Sequence, residues 1–370
     1  MRKTVAILDS DVHTRLQLTH ALQGTYRVEI FNNVLAAMSV MKNDRPSLIL
    51  VGSQVGDLTG VAVAREFVRE KSFTGLPIVY IADKQDTRIR EQLTMVGIKT
   101  ILVKPIDDRI LLGFAGKLIN AEIERGWKDL PRHQRKALEE TISAFNTVAR
   151  ELANGRPPEL GPITSACASL VEVVGQEELG PLLDKIRSHD NFTYVHSMRF
   201  AAFMALFARA IGLPKAMQIQ VACGGLLHDM GMMTIPQYLV NKQDTLTPTE
   251  WKQVQGHVEA GSRLLAAMGP TSKGVQLILS QHHERLDGSG YPKGLKAPDL
   301  NELARMAAII DVFCGLTDRR PYKTPLSPHA AFELMGTTMQ GKLDLDLLPR
   351  FRTILLQEAV YTEEEFREAS

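Results

Sequence analysis

The chain has 370 residues, which is more than one ordinary domain needs and fits two domains with a possible connector. The net charge of +1 gives no general attraction to nucleic acid or to an anionic membrane. Three cysteines, far apart and in no metal-binding spacing, favour a reducing compartment. No apolar run reaches the about 18–20 residues that span a bilayer, and the N-terminus lacks a signal-peptide pattern. We therefore expect a cytoplasmic protein.

The first 120 residues alternate short β-branched runs with amphipathic helical patterns. Five strands are predicted, at Thr4–Asp9, Arg27–Phe31, Ser47–Ser53, Pro77–Asp83 and Lys99–Pro105. Nearly continuous apolar runs are typical of parallel strands that are buried on both faces, and their alternation with helices is typical of a doubly wound sheet. We expect residues 1–120 to form a flavodoxin-like α/β domain with a five-stranded parallel sheet and its site at the carboxyl ends of the strands.

A charged helical segment, residues 121–157, is predicted to link this domain to the next. It carries an apolar stripe in steps of three and four residues: Leu138, Ile142, Phe145, Val148 and Leu152. The stripe either lies on the helix's own domain or pairs with a second copy in a homodimer, and both interpretations stay open. The glycine and prolines of NGRPP (residues 154–158) are predicted to end the helix.

Residues 158–370 follow a helical pattern almost throughout, which predicts an all-α bundle. The region from residue 160 onward holds seven of the ten histidines. This asymmetry indicates that the chemistry belongs to the second domain.

Five imidazoles and two carboxylates of the second domain form a set of possible metal ligands: His196, His228, Asp229, His257, His282, His283 and Asp311. Each alone has an ordinary explanation, such as a solvated histidine or a carboxylate at a helix end. Strongly apolar neighbours argue against that explanation for Asp229 and Asp311, because an unpaired buried charge is costly. Two ions about 3.5–4 Å apart with a shared carboxylate would use all seven residues. The mixed set suits Fe, Mn or Zn and suits Ca or Mg poorly.

Several separated segments match one known family in order and spacing. They are HDMGMMTIPQYLVNKQDTLTPTEW, QGHVEAG, HHERLDGSGYPKGL and DVFCGLTDRRPY, within about residues 191–350. Together they resemble the HD-GYP family of cyclic-di-GMP phosphodiesterases. The first domain resembles bacterial response-regulator receivers, and the pair is similar to the receiver–HD-GYP architecture of two-component signalling.

The resemblance implies hydrolysis of cyclic-di-GMP to pGpG, with GMP as a further product, by a metal-activated hydroxide at a two-metal site. The residues matching the ligands of one metal are His196, His228, Asp229 and Asp311. Those matching the second are His257, His282 and His283, with Asp229 as the bridge. His228 and Asp229 would be the catalytic pair. Fe or Mn is expected, with Zn or Ni as alternatives, and a third metal is not expected because Phe192 stands where some members have a glutamate.

The glycine-rich loop after His283 is predicted to shape the substrate pocket. Gly288 and Gly290 would let backbone approach the substrate, and Tyr291 offers a ring and a hydroxyl, although a plain tight turn is equally compatible. The arginines considered for phosphate or guanine contacts are Arg305 and Arg320, or its neighbour Arg319. Solvated arginines are an equal alternative.

The resemblance breaks at two positions in the second domain. Met232 stands where the family's HDxGK has lysine. A lost charge-assisted hydrogen bond costs about 1.5–3 kcal/mol, or about ten- to a hundredfold in rate, so we expect slowed turnover. Cys314-Gly315 replaces a common Asp-Ala, which we interpret as repacking near Asp311.

The receiver pattern lacks most of its phosphorylation chemistry. Gly52 occupies the position of the phosphoacceptor aspartate, and Ala82 occupies that of the hydroxyl. Asp9 gives one carboxylate of the acidic pair, and Lys104 remains. Because a glycine cannot accept a phosphoryl group and one carboxylate holds Mg²⁺ poorly, we expect a pseudo-receiver that acts as an interaction or dimerisation module.

Two other functions stay open. One is a catalytically weak protein that senses cyclic-di-GMP or docks partners such as diguanylate cyclases, which Met232 and Gly52 favour. The other is a hydrolase of a mononucleotide or of another cyclic dinucleotide, which the GYP segment disfavours. The intact set of seven metal-type residues favours the phosphodiesterase.

Overall fold

The structure is a computed structural model that describes residues 3–176, 178–187, 189–240, 242, 244–319 and 324–366. The chain divides into two compact units, Met1–Gly126 and Trp127–Ser370. Among the helices in these described ranges, none is both long enough and apolar enough to cross a membrane.

The first unit contains a five-stranded parallel sheet in the order β2-β1-β3-β6-β7. Its strands are β1 (Thr4–Leu8), β2 (Arg27–Phe31), β3 (Leu48–Val51), β6 (Ile78–Ala82) and β7 (Thr100–Val103). Two further strands, β4 (Gln54–Val55) and β5 (Leu58–Thr59), form a small antiparallel pair. The predicted flavodoxin-like sheet is therefore confirmed.

Helices cover both faces of this sheet. They are α1 (Val12–Leu22), α2 (Val34–Asn43), α3 (Gly60–Arg69), α4 (Thr87–Val96) and α5 (Asp108–Gly126). Ile7 packs in one core with residues of α1 and α5, whereas the adjacent Leu8 packs in the opposite core with residues of α2 and α3. The strands are continuously apolar because both faces are buried.

The second unit is built from helices, as predicted. They are α6 (Arg132–Ala153), α7 (Leu160–Gly175), α8 (Leu179–Arg187), α9 (Phe192–Ala210), α10 (Lys215–Leu227), α11 (Gln237–Val240), α12 (Pro248–Gln255), α13 (His257–Ala267), α14 (Lys273–Gln281), α15 (Glu302–Thr317), α16 (Pro328–Thr338) and α17 (Leu347–Gln357). In the described part of this unit, β-pairing is limited to one isolated bridge between Asp287 and Lys296. Helix α9 is buried on every side from Tyr194 to Ala208 and forms the centre of the bundle.

The segment predicted as a linker is divided between the two units. Its first part completes α5, and most of the remainder forms α6, which packs against α7 in the second unit. Four residues of the α6 stripe are buried there: Leu138, Ile142, Phe145 and Val148. This is the packing of the first interpretation, a helix that lies on its own domain. Homodimer formation stays a prediction.

Candidate metal centre

The predicted metal ligands come from five helices and the turns that follow them. His196 lies in the second turn of α9, and Asp311 lies in the middle of α15. The others stand at helix ends: His228 and Asp229 directly after α10, His257 at the start of α13, and His282 and His283 directly after α14. The helix ends therefore direct ligands from separate parts of the chain towards one place.

A glycine in the turn after Asp229 allows two of these elements to approach closely. Gly231 lies in the 3-10 turn Met230–Thr234, and a Cβ atom there would stand 1.9 Å from the carbonyl oxygen of His257. Any side chain at this position would push the turn away from α13. The close packing leaves Asp229 Oδ1 3.2 Å from His257 Nε2.

The structure brings all seven predicted ligands into two neighbouring groups. The first group is His196, His228 and Asp311, and the second is Asp229, His257, His282 and His283. Within each group the possible ligand atoms lie within 4.8 Å of one another. Each group alone offers enough nitrogen and oxygen atoms to hold one ion and leave coordination positions open.

Asp229 presents one carboxylate oxygen to each group. Its Oδ2 lies 3.6 Å from His228 Nε2 and 3.8 Å from His196 Nε2. Its Oδ1 lies 3.2 Å from His257 Nε2 and 3.7 Å from His282 Nε2. This is the arrangement that a carboxylate shared between two ions requires.

Asp311 also spans the two groups. Its Oδ1 lies 3.4 Å from His196 Nε2, and its Oδ2 lies 3.3 Å from His283 Nδ1. The sequence assigned Asp311 to the first metal alone, because spacing along the chain does not show which way the two oxygens of a carboxylate point.

Hydrogen bonds from the ring nitrogens indicate that the site is built for cations. Three histidines place Nδ1 against a backbone carbonyl oxygen: His228 against Gly225 at 2.7 Å, His257 against Val254 at 2.7 Å, and His282 against Leu279 at 2.9 Å. A carbonyl only accepts, so each Nδ1 carries the proton and each Nε2 of a neutral ring holds a lone pair.

The Nε2 atoms of the site face one another in pairs. The Nε2 atoms of His196 and His228 lie 3.2 Å apart, and those of His257 and His282 lie 3.5 Å apart. Asp229 Oδ1 is buried, and no hydrogen bond reaches it within the described residues. Facing lone pairs beside an unsatisfied carboxylate repel one another unless cations lie between them, so the residues present fit a pair of metal ions.

Burial sets the protonation states that such ions need. It lowers the pKa of His228 to about 3 and that of His282 to about 4, so both rings are neutral at neutral pH, whereas the Asp229 carboxylate outweighs burial at His257 and raises the pKa of that ring. Burial would raise the pKa of Asp229 and Asp311, but the surrounding imidazoles outweigh it and hold both pKa values well below the usual range. Neutral imidazoles and ionised carboxylates are the forms that bind metals.

The glycine-rich loop is fixed against the second group. A Cβ atom on Gly290 would lie 2.4–2.5 Å from backbone atoms of His283, Glu284 and Arg285, so no larger residue fits. The buried carboxylate of Glu284 accepts hydrogen bonds from the N–H groups of Lys293 at 2.8 Å and Leu295 at 2.9 Å. The loop therefore has a defined shape, set by groups that the sequence did not assign.

Tyr291 stands beside the second group. Its ring centroid lies 4.6 Å from that of His283, and its N–H donates to the His283 carbonyl at 3.2 Å. The side chain of Trp251 on α12 lies next to it, with ring centroids 6.2 Å apart, and 47% of Trp251 is exposed. The sequence gives Trp251 no predicted role, because one aromatic residue does not reveal its neighbours in the fold.

The other predicted substrate contacts are not brought to the site in the same way. Gly288 has a φ of +83° and forms a turn, which suits the alternative of a plain tight turn. Arg305 donates to Ala297 O, Leu300 O and the Asp344 carboxylate. Its donors thus hold the segment after the loop, and contact between Arg305 and substrate stays a prediction. Arg320 lies outside the described residues.

Two departures from the family pattern have clear positions. Met232 is half-buried in the turn after Asp229, and its N–H donates to the Asp229 carbonyl at 2.9 Å. The backbone of residue 232 therefore lies close to that of the predicted ligand Asp229. Cys314 is fully buried, and burial raises its pKa to about 12, so its thiol is not a nucleophile at neutral pH.

In the first unit, the space beside Gly52, the predicted phosphoacceptor position, is filled by a neighbour. A Cβ atom on Gly52 would lie 2.1 Å from Asp9 Oδ2 and 2.9 Å from Asp9 Cβ. Lys104 Nζ lies 2.7 Å from Asp83 Oδ1 and 3.8 Å from Asp11 Oδ2. Asp11 also caps α1. An aspartate at residue 52 would therefore require the buried Asp9 side chain to move.

Comparison with known proteins agrees with this division of the chain. Residues 5–114 match the model of the response regulator receiver domain, and residues 182–347 match that of the HD domain. The chain is an HD-domain protein with an N-terminal receiver domain. The predicted pair of a receiver domain and an HD domain is thereby confirmed.

The relatives of this receiver–HD protein include the cyclic di-GMP phosphodiesterase response regulator RpfG of Xanthomonas campestris, which is 29% identical over 88% of this chain and 81% of its own length. A cyclic di-GMP phosphodiesterase of Pseudomonas aeruginosa is 39% identical, but the match covers 42% of this chain and 37% of that protein. A 3'3'-cGAMP-specific phosphodiesterase of Vibrio cholerae is 34% identical over 43% of this chain and 37% of that protein.

The fold also resembles a solved structure. Bd1817, an HDG"Y"P protein from Bdellovibrio bacteriovorus, superposes with a TM-score of 0.51 over 65% of this chain and 78% of that chain. The two are 19% identical, so the likeness concerns the fold alone.

Proposed function

We propose that the HD domain hydrolyses cyclic di-GMP to pGpG, with GMP as a further product, at a site that holds two divalent metal ions. Fe or Mn suits the mixed imidazole and carboxylate donors best, with Zn or Ni as alternatives. The cyclic di-GMP phosphodiesterases among the relatives support the choice of substrate.

The observation that carries this proposal is the position of Asp229 between the two ligand groups. Its Oδ2 faces the group that contains His228, and its Oδ1 faces the group that contains His257. When bound, a pair of divalent ions supplies a water of lowered pKa and positive charge against the phosphate oxygens. Asp229 and Asp311 would set the spacing of the pair, and His228 and the other imidazoles would complete the two ligand sets.

The loop beside the second group would receive the nucleotide. Tyr291 lies against His283 and is held by the fixed loop, so its ring can form one wall of the pocket. The exposed ring of Trp251 would extend this wall. Aromatic rings suit a cyclic dinucleotide because bases stack on them.

Met232 would slow this reaction without abolishing it. The side chain at this position starts next to Asp229, but a thioether cannot donate a hydrogen bond to a phosphate oxygen. The complete set of ligands supports retained hydrolysis, and this favours an enzyme over a sensor that only binds the dinucleotide.

The receiver would act as a non-phosphorylated module that binds partners, such as diguanylate cyclase domains or a second copy of this chain. The occupation of the acceptor position by Asp9 supports this role. Acetyl phosphate and Mg²⁺ should leave the intact mass unchanged, and a phosphate on any aspartate of the first unit would refute this part of the proposal.

A second candidate substrate is 3'3'-cGAMP. The observation in its favour is that relatives of this chain include phosphodiesterases specific for this dinucleotide. It presents a similar ring of two phosphates, so the same ligand groups could act on it.

The test is chromatography of either dinucleotide after incubation with anaerobically purified, metal-loaded protein. We expect pGpG from cyclic di-GMP, faster than any product from 3'3'-cGAMP, and no product with His228→Ala or Asp229→Ala. A protein that carries two metals and yields no product from either substrate would overturn the enzymatic proposal in favour of a binding role.

A further inference from the structure

His196 differs from the other histidines of the site in what holds its ring. His228, His257 and His282 stand at or next to the ends of helices, where backbone carbonyls have no partner within the helix and can accept from Nδ1. His196 lies inside α9, where the carbonyls of the preceding turn accept backbone hydrogen bonds. It therefore needs an acceptor from elsewhere in the fold.

Asp318 supplies that acceptor. Its Oδ2 lies 2.7 Å from His196 Nδ1, although 122 positions separate the two residues in the chain. Asp318 caps the C-terminal end of α15, the helix that also carries Asp311, and it is 4% exposed. A carboxylate here accepts the Nδ1 proton of His196 and turns the Nε2 lone pair towards the first group.

A buried arginine keeps this carboxylate in place. Arg199, one turn after His196 on α9 and 1% exposed, donates to Asp318 Oδ1. Its other terminal nitrogen lies 3.0 Å from Thr317 Oγ1 and 3.0 Å from the hydroxyl oxygen of Tyr361. Tyr361 follows α17, so the end of the described chain contributes to the support of His196.

We propose that Asp318 is a positioning residue for the first metal: it fixes the tautomer and direction of His196, and Arg199 and Tyr361 hold Asp318 in turn. This inference rests on the proposed function, because it assumes that the group of His196, His228 and Asp311 holds a metal. Carboxylates that support metal-binding histidines change metal affinity by about ten- to a hundredfold.

A matched control lies between α9 and the segment after α17, which also carries Tyr361. Arg209, also on α9, lies 2.7 Å from both carboxylate oxygens of Glu358, which follows α17. This ion pair is also largely buried, but neither residue contacts any of the seven ligands in the described structure. Glu358→Gln therefore reports the effect of weakening an ion pair between α9 and the C-terminal segment.

The experiment is a Co²⁺ titration of the metal-free full chain, followed by visible absorption and by competition with a chelator. His196→Ala identifies which of the two binding steps belongs to the first group. We expect Asp318→Asn to weaken that step about ten- to a hundredfold and to leave the other step unchanged. Glu358→Gln should leave both steps unchanged.

Tyr361→Phe provides a milder variant that retains the Asp318 carboxylate, in case Asp318→Asn fails to fold. It should weaken the same step less than Asp318→Asn does. The inference is overturned if Tyr361→Phe and a folded Asp318→Asn bind both ions as the wild type does, or if Glu358→Gln reproduces their losses. A wild-type chain that binds no metal would instead refute the proposed function.

Discussion

Replacing Met232 with lysine should accelerate the proposed hydrolysis. The backbone of Met232 is tied to Asp229 by a hydrogen bond of 2.9 Å, and its side chain is half-buried, so a lysine there could follow the same surface and place its ammonium at the edge of the site. A hydrogen bond from an ammonium to a charged phosphate contributes about 1.5–3 kcal/mol. If the bond is expressed in the transition state, Met232→Lys gains about ten- to a hundredfold in kcat/KM.

The assay is the initial rate of cyclic di-GMP consumption by protein with a verified metal content. Met233→Lys is the control, because the neighbouring Met233 lines a different, apolar cavity with Phe145 and Val148. We expect the control to lose stability and gain no activity. Equal rates for Met232→Lys and the wild type at equal metal content would refute the reasoning about this position.

Three further predictions concern the receiver, the loop and the metal-free state. Gly52→Asp should lower the free energy of unfolding and still accept no phosphate from acetyl phosphate, because Asp9 occupies the space; a gain of phosphate in the intact mass would contradict this. Glu284→Gln should lower the melting temperature and raise KM, because the N–H group of Lys293 or Leu295 loses its carboxylate acceptor, at a cost of about 1–3 kcal/mol. An unchanged KM would show that the shape of the loop does not affect substrate binding. The metal-free protein should lose stability as the pH falls below about 6.5. Burial lowers the pKa of His228 in the folded chain to about 3, so the unfolded chain binds more protons in this pH range. A melting temperature that stays the same between pH 7 and pH 5 would contradict this.

The fold of the first unit was largely predictable because its signals are local. The strand LILV (Leu48–Val51) is apolar throughout because both of its faces are buried, and this pattern can be read from the residues alone. The burial of the α6 stripe was not decided by the sequence. Periodicity shows that one face of a helix needs a partner, but it does not show whether α7 or a second chain provides it.

The ligand set was also predictable, whereas its support was not. Asp229 and Asp311 stand next to strongly apolar sequence, which makes an uncompensated charge costly and marks them as special. No such signal in the sequence singles out Asp318, and its partner His196 lies 122 positions away in the chain. The acceptors of Arg305 at Ala297, Leu300 and Asp344 could not be predicted either, because the fold brings them together.

The most direct test of the two-metal site is to titrate Mn²⁺ or Fe²⁺ anaerobically into the metal-free chain and to measure bound metal and cyclic di-GMP hydrolysis on the same samples. Asp229 presents an oxygen to each ligand group, so we predict that two ions bind per chain and that hydrolysis rises only as the second ion binds. Full hydrolysis with one ion bound per chain would contradict the two-metal site.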